Sequence, residues 1–312
     1  MKHIFITGCP RSGTTLLASM LGNKSSCVAT PESDFFVDFI YKYLPKKTDS
    51  VQTSDYVEYL NNNYRFKQWN IDANNIKNLP EKVNLSNLND LIENTVSLFA
   101  NTHLEVSKNE FVRIDHTPSS IKNFYVLNEL FPDSKFIFII RDPRAVYASV
   151  KDLDWGANTP LRLSEIWNEY TNHYFSLEKL FPNRICLIRY EDILTNPALH
   201  LKKVCEFSNI TYNDSMLEAK GFKIPGYTAS QHNLVGKKLD LNRIEKWKKE
   251  LKLEDVLIIE SKCRYIMNAF SYNITQDINY RVGVKGKVKM IFNEMYFYIK
   301  NKIRKKKREK KA

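Results

Sequence analysis

The sequence predicts an α/β fold: a doubly wound parallel sheet with a P-loop-type phosphate-binding loop and helical insertions. Three observations predict it. Residues 3–22, HIFITGCPRSGTTLLASMLG, run from an apolar stretch through a glycine-bounded loop into a segment with apolar residues at helical spacing. Residues 135–140, KFIFII, make the continuous apolar run that a parallel sheet buries on both faces. Beyond these, short apolar runs alternate with helical patterns along the chain.

Each element follows from its own residues. His3 to Thr7 reads as a buried strand, Gly8 to Gly13 as a tight loop and Thr14 to Leu21 as a helix. Strand, loop and helix together form a phosphate cradle, in which loop N–H groups and the helix N-terminus converge on an anion. Gly8 and Gly13 have P-loop spacing, but Thr14-Thr15 replaces the expected Lys-[Ser/Thr]. The nearest cation is Arg11, inside the loop. Ser26 to Ala29 makes a short second strand that leads into Thr30-Pro31-Glu32-Ser33.

Residues 40–110 are rich in Asn, Lys and aromatics, including Tyr56, Tyr59, Tyr64, Phe66 and Trp69. Helical periodicity over 54–66 and 86–101 predicts a helical insertion over the sheet edge, suited to a lid or an acceptor-binding region. Phe111 to Ile114 is a strand ending in Asp115-His116-Thr117-Pro118, and Ser120 to Leu130 is a helix. The run at 135–140 ends in Arg141-Asp142-Pro143, where Asp142 is a natural N-cap and Pro143 suits the first helical position. Ser149 lies two turns along the helix 145–151, so Arg141 and Ser149 form a second anion clamp at the edge where open α/β sheets bind ligands. A helix over 164–180, a strand over 184–189 ending in Tyr190-Glu191-Asp192, and further helices complete the pattern. An irregular polar stretch runs from Ser230 to Asp240.

Composition narrows the function classes. The chain has 312 residues, 43% of them hydrophobic, and can bury a sizeable core. Its five cysteines are scattered without a Cys-x-x-Cys pair, which argues against a disulfide framework or a zinc site and fits a reducing compartment. No secretion signal or membrane-length apolar run is evident, so a cytoplasmic location, peripheral to the membrane, is expected. The net charge of +12 is uneven: residues 281–312 hold 13 Lys/Arg and 2 Asp/Glu, while residues 1–280 are nearly balanced. The expected organisation is therefore one domain over 1–280 and a basic amphipathic tail over 281–312. In the tail, Met290 to Ile299 is apolar and aromatic and Lys300 to Lys311 is nearly all basic. Such a segment suits a helix packed on the domain, or an interfacial helix with a polybasic patch at an anionic membrane. Nothing in the body of the chain supports nucleic-acid binding.

The loop Cys9-Pro10-Arg11-Ser12-Gly13-Thr14-Thr15 resembles the 5′-phosphosulfate loop of sulfotransferases that use 3′-phosphoadenosine 5′-phosphosulfate (PAPS). Arg141 with Ser149 resembles the family's 3′-phosphate site, and Tyr190-Glu191-Asp192 its Arg-Tyr-Glu-Asp element. Trp247 lies in a Lys-rich segment like the one near that family's C-terminus. The similarity runs in order over about residues 3–260 and is closest in pattern to the carbohydrate and tyrosylprotein types. It implies a PAPS-dependent O-sulfotransferase that needs no metal. Pro10, Arg11, Ser12, Gly13, Thr14 and Thr15 are then assigned to the 5′-phosphosulfate, with Arg11 also catalytic. Arg141 and Ser149 take the 3′-phosphate and Tyr190 the adenine. Ser230 and one of Lys237, Arg243 or Lys246 are expected to close over the donor.

Sulfuryl transfer needs a base beside the acceptor hydroxyl. Glu32 matches the glutamate of the protein-tyrosine type. His116 stands where cytosolic members have a histidine and tyrosylprotein members a lysine. Glu32 is preferred as base, with His116 donating to the transferring group or replacing it. The expected acceptor is a carbohydrate or glycolipid, with protein tyrosine second. A P-loop nucleotide kinase and a nucleotide-binding pseudoenzyme are the readings from other classes.

Overall fold

The computed structural model describes residues 1–24, 26–43, 50–77, 79–104, 111–222, 236–237, 239–275 and 283–311. Strand β1 (Lys2–Thr7) leads through the glycine loop into helix α1 (Thr14–Leu21); β2 (Cys27–Thr30) and α2 (Asp34–Tyr43) follow. The inserted region holds β3 (Ser50–Gln52), α3 (Thr53–Asn62), β4 (Lys82–Asn84) and α4 (Leu88–His103). The main sheet resumes with β5 (Val112–Asp115), then α5 (Phe124–Leu130), β6 (Lys135–Ile140), α6 (Pro143–Val150), α7 (Pro160–Leu180) and β7 (Ile185–Arg189). After it come α8 (Tyr190–Thr195), α9 (Pro197–Phe207), α10 (Asn242–Glu245), α11 (Trp247–Glu250), α12 (Leu253–Ala269) and α13 (Val284–Lys311).

The five-stranded sheet has the order β2-β5-β1-β6-β7 with every neighbouring pair parallel. The chain steps from β5 on one side of β1 to β6 on the other, so a crevice opens at the C-terminal ends of β1 and β6. Alternation along the strands feeds two cores. Phe5, Phe136, Phe138 and Ile140 face a layer that includes Trp167 and Tyr174 of α7 and Ile259 of α12. Ile4, Ile6, Ile137 and Ile139 face Leu17 and Leu21 of α1 and Leu201 and Val204 of α9. Both sheet faces are therefore covered, as the unbroken apolar run at 135–140 requires.

Two expectations change. The segment 120–130 is a 3-10 turn over Pro118–Asn123 before α5, rather than one helix. The insertion is not purely helical, since β3 and β4 form an antiparallel ribbon. Its aromatics are also interior: Tyr56, Phe66 and Trp69 are about 1% exposed and share one core with Phe35, Phe39 and Phe5. These aromatics fill the interior and form no open platform for a sugar.

His3, at the start of β1, is buried between Phe131, whose ring centroid is 3.9 Å away, and Glu93 at 3.2 Å. Burial lowers its pKa to about 4, against the pull of Glu93. The unfolded chain thus takes up a proton near the ordinary histidine pKa of ~6.5, while the folded chain resists until about 4. Stability is expected to fall as pH drops through this window, by roughly 2 kcal/mol between pH 7 and pH 5 from this group. Urea titrations at both pH values should show that increment in wild type and not in His3→Phe; equal losses in both would remove His3 as its source.

Candidate active site

The glycine loop takes its shape from two close approaches. Gly8 has φ +148°, and a Cβ there would lie 2.2 Å from the Ile139 carbonyl oxygen of β6. Gly13 caps α1 in the left-handed region (φ +109°), and a Cβ there would strike the Tyr190 ring at 2.5 Å. Thr7 Oγ1 donates to the Pro118 carbonyl (2.6 Å) and accepts from the Ile121 amide (3.0 Å), tying the end of β1 to the turn after β5. Thr14 and Thr15 are buried on the first turn of α1, and Pro10, Arg11 and Gly13 are half-buried at the rim. Ser12 Oγ is fully buried and has no hydrogen-bond partner among the described residues.

The two predicted anion clamps meet. Arg11 Nε donates to Ser149 Oγ at 3.2 Å, joining the loop to α6. Arg11 adopts φ +72°, so the loop curls this side chain across toward α6. Arg141, at the end of β6, donates to the Arg11 carbonyl (3.0 Å) and the Arg243 carbonyl (3.3 Å), and its guanidinium sits 4.4 Å above the Tyr190 ring. Trp167 Nε1 donates to the Arg141 carbonyl at 2.9 Å and fixes the strand end from below. Arg141 Nε, like Ser12 Oγ, is buried and without a partner among the described residues. Asp142 caps α6 by accepting from the Arg144 amide (2.8 Å), as its place before Pro143 predicts.

Three cationic groups crowd this corner. Burial, then the charges of Arg141 and Arg243, lower the pKa of Arg11. A cluster of like charges with unpartnered buried donors is electrostatically incomplete, and a multiply charged anion completes it. The residues present therefore fit a nucleotide with phosphate-type groups at two positions.

The candidate bases sit on neighbouring strand ends, because Thr30 of β2 pairs in register with Asp115 of β5. Glu32 is half-exposed and accepts from Arg65 Nη1 at 2.8 Å; Arg65 also reaches Asp34 Oδ1 at 3.4 Å. Burial lifts the Asp34 pKa to about 6, against the pull of Arg65. His116 is 3% exposed, its ring lies edge-on to Phe222 at 4.8 Å, and neither ring nitrogen has a hydrogen-bond partner among the described residues. Burial lowers its pKa although Glu32 and Asp115 pull the other way, so the imidazole rests neutral near pH 7.

Beneath them lies a buried network. Asp115 accepts from Arg113 Nη2 at 2.5 Å, from the Thr117 amide at 2.8 Å and from Ser33 Oγ. Ser33 in turn accepts from Arg113 (2.8 Å), and its amide donates to Thr117 Oγ1 (2.8 Å). Burial opposes charge on Asp115, but Arg113 and these hydrogen bonds outweigh it and hold the carboxyl below its usual range. The network locks the segment carrying Glu32 to the one carrying His116.

Other expected residues are placed differently. The Tyr190 ring is 2% exposed, covered by Arg141 and abutted by Gly13, so it supports the loop and offers no open face to an adenine. The Arg243 carbonyl accepts from Arg141, and its side chain, 3.8 Å from Asp240, adds its charge to the corner. Lys246 pairs with Glu250 (2.7 Å) on an exposed helix face, and Lys237 is exposed. Ser230 lies outside the described residues. Arg65 and Phe222 were not legible as site residues: Arg65 stands in an Asn- and Tyr-rich insertion without a motif, and Phe222 in a loop.

Comparison with known proteins gives the family. A family profile described as "Sulfotransferase family" matches residues 3–214. An uncharacterised protein of Aquifex aeolicus (strain VF5) is 24% identical over 256 residues, covering 80% of this chain and 30% of that protein. Protein-tyrosine sulfotransferase A of Caenorhabditis elegans is 22% identical over 250 residues, covering 78% of this chain and 56% of its own length. The chain thus spans about a third to a half of these curated relatives. Among solved structures, the sulfotransferase domain of the Synechococcus PCC 7002 olefin synthase superposes with a TM-score of 0.57 at 19% identity, covering 88% of this chain and 95% of that one. That likeness concerns the fold.

Proposed function

The chain belongs to the sulfotransferase family, and from that premise we propose that it moves a sulfuryl group from PAPS to an acceptor hydroxyl by in-line transfer. The observation that carries the proposal is the corner where Arg11 reaches Ser149, Arg141 crosses to the loop, and Ser12 Oγ and Arg141 Nε stay buried without partners among the described residues. The loop residues Pro10 to Thr15 would hold the 5′-phosphosulfate, and Arg141 with Ser149 the 3′-phosphate. The donor supplies the activated sulfuryl group; positioning and charge stabilisation are left to the protein.

Glu32 acts as the base. It is the accessible member of the pair, Arg65 Nη1 orients its carboxylate from 2.8 Å, and an acceptor arriving from solvent meets it before His116. His116, buried and neutral, donates an N–H toward the transferring group. Arg11, within the loop, offsets negative charge that develops on the bridging oxygen.

The acceptor is a carbohydrate or glycolipid hydroxyl. Its support is Tyr64, whose exposed ring carries a hydroxyl 3.0 Å from Arg65 Nε and so stands one residue from the Glu32 ion pair. An open aromatic ring beside a base suits the apolar face of a sugar. Protein tyrosine is the second reading, favoured by the similarity to the Caenorhabditis enzyme.

Calorimetric titration with adenosine 3′,5′-bisphosphate and with ATP·Mg²⁺ tests the donor site. The bisphosphate should bind and ATP·Mg²⁺ should not. Arg141→Ala should weaken bisphosphate binding by roughly 10- to 100-fold, the worth of charged hydrogen bonds to one phosphate. Preference for ATP·Mg²⁺, or an unchanged affinity in the variant, would overturn the assignment.

A further inference from the structure

The helix α13 turns the wrong face outward for a segment that merely packs on a domain. Met290, Glu294, Phe297 and Asn301 are half-buried on its inner side. Asn301 Nδ2 donates to Asn158 Oδ1 at 2.8 Å, Thr159 Oγ1 donates to Glu294, and Lys289 lies 3.7 Å from Glu254 of α12. Half a turn away, Val288, Ile291, Phe292, Met295, Ile299 and Ile303 form a continuous stripe at three- and four-residue spacing. Each is between 48% and 67% exposed. The body of the chain therefore holds the helix by one mixed side, with polar contacts at Glu294 and Asn301, and leaves an apolar side uncovered.

Charge decides what covers it. The segment 281–312 carries 13 Lys/Arg against 2 Asp/Glu, and cationic residues follow the stripe directly from Lys300 onward. A second copy of the chain would set this charge against itself, whereas an anionic lipid surface neutralises it and takes up the apolar side chains at the same depth. Among the described residues no helix is long and apolar enough to cross a membrane, so the stripe lies along the interface rather than through it.

We propose that α13 docks the enzyme on an anionic lipid bilayer, with the Val288–Ile303 stripe in the headgroup–acyl boundary and the basic residues on the anionic headgroups. The docking depends on neither the donor nor the acceptor of the reaction.

Vesicle co-sedimentation of the full chain tests it, with phosphatidylglycerol–phosphatidylcholine vesicles against phosphatidylcholine alone. Binding is expected to the anionic vesicles and to weaken steeply as salt rises from ~0.1 to ~0.5 M. Phe292→Glu and Ile299→Glu should each reduce partitioning by roughly tenfold or more. Changing Lys305, Lys306, Lys307 and Arg308 to Gln should cost about fivefold for each residue. Circular dichroism and thermal melting matching wild type show that the variants are folded. No binding to anionic vesicles, equal binding to neutral ones, or displacement from vesicles by homopolymeric RNA would each overturn the proposal. So would a wild-type dimer in sedimentation velocity that Phe292→Glu dissociates, since a second copy would then own the stripe.

Discussion

Glu32→Gln is expected to lower kcat by roughly 10²- to 10⁴-fold, the range for losing a positioned general base. The substitution keeps shape and hydrogen-bonding capacity but cannot accept the acceptor's proton. Donor binding should hardly change, because the Glu32 carboxylate is hydrogen-bonded to Arg65 and is not among the groups proposed to hold the donor's phosphates. The measurement is a pair: single-turnover sulfuryl transfer, and calorimetric affinity for adenosine 3′,5′-bisphosphate. A large rate loss with affinity within about twofold of wild type is the expected signature of a group that acts only on the chemical step. His116→Ala should also slow transfer, by roughly 10²- to 10³-fold, as loss of a donor to developing charge does. Near-normal rates in Glu32→Gln beside an inactive His116→Ala would pass the base role to the histidine. In that case the rate should rise with pH through a pKa below the ordinary histidine value, because burial holds the His116 pKa down.

The largest expected loss of stability comes from Arg113→Met. Arg113 is 1% exposed, its guanidinium bonds Asp115 and Ser33, and it lies 5.4 Å from the Phe36 ring centroid. Methionine replaces most of the buried volume but leaves Asp115 charged, buried and without its counter-ion. Breaking a buried pair in this way costs roughly 3–5 kcal/mol. Urea unfolding at pH 7 should show a matching fall in midpoint with an unchanged slope. The double variant Arg113→Met/Asp115→Leu should recover much of the loss, since an apolar pair of similar bulk leaves no charge stranded. Full additivity of the two substitutions would show that the pair does not act as one unit.

The geometry of the glycine-loop corner was legible because it is local in sequence. Gly8, Arg11, Ser12 and Gly13 fall within one loop whose backbone shape they dictate, and Arg141, Asp142 and Pro143 announce a strand end and a helix start together. Parallel pairing then sets Arg141 beside the loop, as an apolar run buried on two faces demands. The surroundings of Glu32 were not legible, because they are assembled from distant segments. Arg65 reaches Glu32 across 33 residues and belongs to no motif. The same tertiary override misled the reading of Tyr56, Phe66 and Trp69: composition alone does not tell a ring that binds a ligand from one that fills a core. Tyr190 is a related case, since its motif does not tell that the ring lies buried under Arg141 and against Gly13. Lys246 and Lys237 lie exposed, Lys246 paired with Glu250.

Trp69 is buried in the same core as the sheet, and its indole N–H donates to the Glu32 carbonyl at 3.2 Å. The inserted region is thus bolted to the backbone of the proposed base and cannot swing away without prising a tryptophan from the interior. In hydrogen exchange, amides of α3 and α4 should therefore exchange together with those of β1 and β6, in one cooperative unit rather than by independent opening. Swapping the insertion between relatives would then unsettle the whole domain. Altering acceptor preference calls for changes at the rim, around Tyr64 and Arg65, with the bolt left in place.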